Sequence, residues 1–422
     1  METTRTSARD LPVVVIGAGL AGLAAGATAA RAGSRVIILD AHIPGGRART
    51  DTRDGFRFNQ GPHALYRGGP GRRVLSRLGI RPAGHQPRLR GSQALIAGHP
   101  RRFPKAQVSG VIARLAVGRA TRQAGRSASE WIGSLRLSRD AAQYLAALIR
   151  NTSYVADLDQ MPAGLAITQL RTALRGVDYL DGGWAQLTSA LLSCASAAGA
   201  QVRTHVRADH VERTAGAWEV HADGEVIPAA AVVVAAGRPA AARRLLPIDP
   251  GWEDLGPEVT AACLDLGLRR PGTRYTLGID EPLYLSPHCP PGDLAPAGCE
   301  LVHLMRYRAR NPAADRAQLW NLAAAAGISR GDVMVERFLP RMVVVSCLPS
   351  PQRGLAGRVP VTVPGAPGLL LAGDWIGPRG WLCDGSLASG ERAGLLAARA
   401  AQDRFSILHQ DTAHVTEFHN GR

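Results

Sequence analysis

The residues with the clearest chemical consequence stand near the N-terminus. Gly17-Ala18-Gly19-Leu20-Ala21-Gly22 is a G-x-G-x-x-G turn, and an acid, Asp40, follows 18 residues after its last glycine. In such a turn the first glycine permits the tight bend, the second lets the backbone approach a pyrophosphate, and the third lets a helix lie close against a strand. These are Gly17, Gly19 and Gly22, and Leu20, Ala21 and Ala41 complete the expected nucleotide site. The helix N-terminus would present free N–H groups to the phosphates. Asp40 would accept hydrogen bonds from a ribose, and its charge disfavours the 2′-phosphate of NADP.

Such a turn needs particular elements around it. Leu11 to Ile16 is an apolar, β-branched run that predicts a buried strand. Leu23 to Arg31 is alanine-rich and predicts a helix closed by Gly33. Arg35 to Leu39 predicts a second strand that delivers Asp40. The complete order of strand, turn, helix, strand and acid is far more specific than the glycines alone.

Two further motifs follow the same logic. Pro44-Gly45-Gly46-Arg47-Ala48-Arg49-Thr50 leads into Gly55-Phe56-Arg57-Phe58-Asn59-Gln60-Gly61-Pro62-His63. Near the other end, a short strand from Gly368 to Leu371 precedes Ala372-Gly373-Asp374-Trp375. Trp381-Leu382-Cys383-Asp384-Gly385-Ser386 then opens an alanine-rich helix reaching about Ala401. These motifs, in this order, resemble the flavin-containing amine oxidase and phytoene desaturase superfamily. The G-F-R-F-N-Q-G-P stretch is most similar to its desaturase branch.

The resemblance implies an α/β fold, with a Rossmann-type FAD-binding domain interleaved with an α+β substrate domain, and FAD as the cofactor. It implies that Gly46 and Arg47 lie against the FAD phosphates, and that Gly61, Pro62 and His63 run along the isoalloxazine ring. It implies that Asp374, after Gly373, holds a ribityl hydroxyl or phosphate. The helix start at Asp384, Gly385 and Ser386 would face the flavin N1/C2=O edge, where its partial positive charge stabilises reduced flavin. The family often carries arginine where this chain has Ile43.

The middle of the chain adds a strand from Val202 to Val206, an Asp223-Gly224 hairpin and a strand from Ala231 to Ala235. By resemblance the Val206 backbone pairs with adenine, and Ala236-Gly237 covers the adenosine side. A second G-x-G-x-x-G and a C-x-x-C are both absent, which excludes a two-dinucleotide disulfide reductase. The expected division is 10–82, 177–250 and 360–402 for the FAD domain, 83–176 and 251–359 for the substrate domain, and 403–422 as a tail.

For catalysis the sequence offers His63, Trp381 and Asp384, with His63 the base best matched to neutral pH. Trp375 and Trp381 are expected to guide substrate across the flavin, and no metal site is expected. Cys347 reads as a small buried residue, and His409, His414 and His419 as part of a tail. Val108 to Arg122 has apolar residues at helical spacing with arginines between, which suits a domain-packing face or a membrane surface.

Composition narrows the reading. The net charge is +16, but 49 of the 50 basic residues are arginines scattered along the whole chain rather than gathered in one patch, so no nucleic-acid partner is expected. The single lysine, Lys105, lies far from the stretch Val259 to Arg270, where by resemblance many amine oxidases keep a lysine near flavin N5. That points to the desaturase branch and a mainly apolar small-molecule substrate, with oxygen or a quinone as acceptor. An amine or amino-acid oxidase is the alternative enzyme. A non-catalytic FAD protein that associates with membrane or nucleic acid is the alternative of another class. With no secretory leader pattern and no paired cysteine motif, the expectation is a cytoplasmic protein, with peripheral membrane contact as the alternative.

Overall fold

Six aliphatic side chains in succession cannot stay in water, and the first strand shows where such a run goes. In the computed structural model of the protein, Val13–Ile16 is the central strand of a five-stranded parallel sheet. The order across the sheet is Gln201–Thr204, Val36–Asp40, Val13–Ile16, Ala231–Val234 and Leu369–Leu371. Every strand pairing in this sheet is parallel. The structure describes residues 11–103, 123–214, 216–252, 254–308 and 310–419, with side chains to residue 403. Lys105, the Val108 to Arg122 stripe and the side chains of the three tail histidines lie outside the described residues.

Helix Leu20–Arg31 begins earlier than its alanine run suggests, because Gly19 already serves as its N-cap. It packs along the last helix, Cys383–His419, which continues beyond Ala401. Glycines make this contact close. A Cβ on Gly390 would stand 2.2 Å from the Ala21 carbonyl oxygen, and one on Gly394 would stand 2.4 Å from that of Ala25.

The second large sheet has seven strands, in the order Val333–Val345, Val259–Leu268, Glu300–Tyr307, Leu283–Cys289, Thr276–Gly278, Gln93–Ile96 and His99–Arg102. Its alternation sorts two faces. Leu264, Leu266, Val302 and Leu304 pack on helix Pro312–Ala325 through Leu319 and Leu322. Cys263, Met305, Tyr284 and Tyr307 face the other way, in a core shared with helices Ala128–Ser134, Arg139–Ser153 and Ala163–Leu174. The hairpin of the last two strands turns at Ala97-Gly98, both with positive φ, rather than at Gly98-His99. Among the described residues, no helix is long and apolar enough to cross a membrane.

Candidate functional site

The glycine turn behaves as its spacing requires. Gly17 has φ +106°, and a Cβ there would lie 2.4 Å from the Ala235 carbonyl oxygen. A Cβ on Gly22 would fall 1.7 Å from the Gly17 carbonyl oxygen, so helix and strand touch at this point. Gly19 is different: its Cβ would meet nothing within 4 Å among the described residues. It opens on a cavity of about 1060 Å³, at the upper end of small-molecule pockets.

Segments remote in sequence converge on that cavity. From the N-terminal unit come Gly17, Gly19, Leu20, Ala21, Asp40, Ala41, Gly46, Arg47, Pro62 and His63. From the middle come Val206, Ala236 and Gly237, and from the C-terminal motif Gly373, Asp374 and Ser386. Gly22, Gly61, Asp384 and Gly385 are not on its wall. The last helix meets the cavity through its first turn. Leu382, with φ +56°, precedes it, and Leu382, Cys383 and Ser386 reach the wall.

The polar groups are held in defined directions. The Asp40 carboxylate accepts the Ala18 N–H at 2.6 Å and the His42 N–H at 2.8 Å. The Val206 N–H donates to the Asp40 carbonyl at 2.9 Å, so the Val206 backbone has only its carbonyl left for a base. Arg47 donates two bonds to Asp374, at 2.8 and 3.0 Å. The Ser346 N–H and hydroxyl donate to the same carboxylate at 2.8 and 3.0 Å. Burial alone would raise the Asp374 pKa, but Arg47 and Ser346 outweigh it and hold it below the ordinary value. Asp374 therefore has no unused oxygen to offer a ribityl chain directly. It aims Arg47 instead.

Several sequence expectations change here. His63 lies on the wall, with Nδ1 2.9 Å from the Gly61 carbonyl oxygen and its ring edge-on to Trp184 at 4.6 Å. Burial pushes its pKa down to about 4, so it is neutral at pH 7 and is not a base matched to that pH. Asp384 accepts the Gly71 N–H at 2.8 Å, at the start of helix Pro70–Arg77. It caps that neighbouring helix, and burial pushes its pKa up to about 7. The Trp381 indole N–H donates to the Ser153 carbonyl at 3.0 Å, and that of Trp375 donates to Gly237 at 2.9 Å. Both tryptophans are core residues absent from the cavity wall, because their amphipathic rings find apolar packing and one polar partner inside. Cys347 is buried, as expected, and burial pushes its thiol up to about 12.

Other wall residues carried no sequence signal. Tyr154 closes helix Arg139–Ser153 in the left-handed conformation, φ +65°, and reaches the cavity with Trp184, Met342 and Val344. Arg358 is buried and donates to the carbonyls of Asp374 and Gly380, fixing the loop before the last helix. Arg49 Nε and Trp184 Nε1 are buried without a hydrogen-bond partner among the described residues, and both residues line the cavity. Buried polar atoms of this kind call for a polar ligand.

A glycine turn at a helix start, a parallel sheet and a second sheet closing over the crevice define a dinucleotide-binding Rossmann-like fold. Residues 15–78 match the family described as NAD(P)-binding Rossmann-like domain. A 72-residue stretch is 43% identical to the all-trans-retinol 13,14-reductases of Macaca fascicularis and Homo sapiens, covering 16% of this chain and 12% of each reductase. An oxidoreductase from Methanosarcina mazei has the same fold, with TM-score 0.74 and 20% identity over 90% of this chain and 99% of that one. A putrescine oxidase matches with TM-score 0.72 and 17% identity over 92% and 99%. Cyclohexylamine oxidase from Brevibacterium oxydans matches with TM-score 0.68 and 17% identity over 94% and 100%.

Proposed function

We propose that the protein is an FAD-dependent oxidoreductase that removes hydride from a mainly apolar small-molecule substrate, forming a C=C or C=N bond. The observation that carries this reading is the convergence of three remote segments on one cavity. It runs from Gly19 and Asp40, past Arg47, to His63 and Ser386. The unpartnered Arg49 Nε and Trp184 Nε1 support the fit of a large polar cofactor.

Bound FAD supplies the electron acceptor for the hydride. The protein binds and orients. Gly19 lets the pyrophosphate close to the backbone, and the free N–H groups of the first helix face it. Asp40 receives the ribose hydroxyls. Arg47, held by Asp374, sets a positive charge beside the cavity. The start of the last helix, at Cys383 and Ser386, puts its positive end there as well. Tyr154, Met342, Val344 and Leu382 give the same cavity an apolar wall that excludes water.

A second reading, amine oxidation, is favoured by the fold shared with putrescine and cyclohexylamine oxidases. Anaerobic mixing separates the two. The FAD-loaded protein is mixed with putrescine, cyclohexylamine or a partly saturated polyene hydrocarbon, and flavin absorbance is followed. Bleaching by the polyene alone supports the first reading. Bleaching by an amine, with peroxide formed in air, supports the second. Flavin that dithionite reduces, but no substrate of either class does, would contradict both.

A further inference from the structure

A row of polar side chains crosses the otherwise apolar inner face of the seven-stranded sheet. Arg337, Asp265, His303 and Ser286 lie opposite one another on four adjacent strands. All four are buried, Asp265 and His303 completely. Charges are kept inside a protein only when paired, and apolar residues of the same size would pack there without that cost. Asp265 is paired twice. One oxygen accepts from Arg337 Nε at 3.0 Å and Nη2 at 2.6 Å, and the other lies 2.6 Å from His303 Nδ1. Burial would raise the Asp265 pKa, but His303 and Arg337 outweigh it, so the carboxylate stays ionised.

An ionised carboxylate at Nδ1 keeps a proton on that nitrogen, so in the neutral imidazole the lone pair would sit on His303 Nε2. His303 Nε2 is buried and has no hydrogen-bond partner among the described residues. Beside it stands His288, edge-on with ring centroids 4.4 Å apart and stacked on Tyr179 at 3.6 Å. His288 Nδ1 is likewise buried and unpartnered. One unpartnered nitrogen on each of two neighbouring buried rings is the feature that pairing among the described residues does not account for.

The row lies beneath the cavity wall. Arg337 also donates to the Asn59 carbonyl, four residues before His63, and faces Asp51. Cys263, two residues before Asp265 on the same strand, would be 3.4 Å from a Cβ at Gly61. His63, His288 and His303 are near enough that a charge on one disfavours a charge on another. The Tyr179 hydroxyl is occupied by Ser286 at 2.7 Å, which leaves the imidazoles as the proton-accepting groups of the cluster.

We propose that Asp265 and His303 form a buried acid–base dyad that takes up the proton freed when substrate is oxidised, relayed by water held between His288 Nδ1 and His303 Nε2. This rests on the reading above that the protein is an FAD-dependent oxidoreductase, and replaces its C=C product with one whose formation frees a proton from nitrogen or oxygen. As the substrate C–H bond breaks, its hydrogen leaves with both electrons for FAD. The proton of the neighbouring N–H or O–H group passes through the water to His303 Nε2. The products are a C=N or C=O compound, reduced FAD and an imidazolium paired with the Asp265 carboxylate. An imidazole can take a proton from nitrogen or oxygen as hydride departs, but not from an alkane carbon. The dyad therefore favours amines and alcohols with an apolar body over hydrocarbons.

The test compares full-length, FAD-loaded wild type with Asp265→Asn and His303→Gln. The flavin reduction potential is measured by dye equilibration between pH 6 and 9. Reduction of wild type should draw a proton to His303, so its potential falls more steeply with pH than that of either variant. Superimposable curves overturn the proposal. If none of the three proteins binds FAD, the flavoenzyme reading fails, and nitrogen NMR of the histidine-labelled protein still decides the dyad. Wild type should show His303 as the Nδ1–H form with a low-field proton that Asp265→Asn abolishes. An Nε2–H form would overturn it.

Discussion

Replacing Asp374 with asparagine tests the best-connected group on the cavity wall. The carboxylate accepts four hydrogen bonds, two from Arg47 and two from Ser346. Asparagine has one accepting oxygen, and its amide nitrogen can only donate. Two of the four bonds are therefore lost, and a donor is forced against donors. Hydrogen bonds to charged groups contribute about 1.5–3 kcal/mol each. Arg47 is 42% exposed, so water screens part of its share. The expected cost is about 3 kcal/mol, read as a lower urea midpoint in tryptophan fluorescence, for which the neighbouring Trp375 is the reporter. The pH dependence fixes the sign. Because the folded pKa of Asp374 lies below its ordinary value, its contribution is present above the unfolded pKa and lost as pH falls through the folded one. The gap between wild type and variant should thus close in acid, below about pH 4. A variant within about 0.5 kcal/mol of wild type at pH 7, or a gap that persists in acid, would refute the reasoning.

Other substitutions probe separate parts of the account. Gly22→Ala places a methyl 1.7 Å from the Gly17 carbonyl oxygen and should cost about 1–3 kcal/mol while weakening FAD binding; equilibrium dialysis that finds unchanged affinity would count against a tightly fitted turn. Asp384, whose pKa burial raises to about 7, contributes stability that is full below its unfolded pKa and lost as pH rises through 7. Melting temperature should therefore drop between pH 5 and 8 in wild type and drop less in Asp384→Asn; equal drops would remove Asp384 as the cause. Trp381→Phe loses the bond to Ser153 and should cost about 2 kcal/mol with the flavin spectrum unmoved. A variant of unchanged stability but slowed flavin reduction would return Trp381 to the active site.

The nucleotide half was readable because each of its signals is local. The Val13–Ile16 strand, the glycine turn, helix Leu20–Arg31 and Asp40 lie within thirty residues and obey short-range rules. The Asp223-Gly224 turn likewise announced strands Ala217–Ala222 and Glu225–Ala229. Side-chain partners were not readable. Arg47 meets Asp374 across 327 residues, and the short motif around each looks the same whether its charge faces a ligand or the other residue. The tryptophans misled for a related reason. Trp375 and Trp381 stand inside a cofactor motif, but the loop turns both indoles into the core, where Gly237 and Ser153 receive their N–H groups. The Asp265–His303 pair comes from strands that carry no motif and meet only through sheet register.

FAD binding by the purified full-length protein tests the central claim most directly. The protein is incubated with FAD, passed through gel filtration, and its visible spectrum recorded. Flavin bands should co-elute with the protein at about one FAD per chain, as one dinucleotide crevice would hold. A colourless protein after incubation would contradict it.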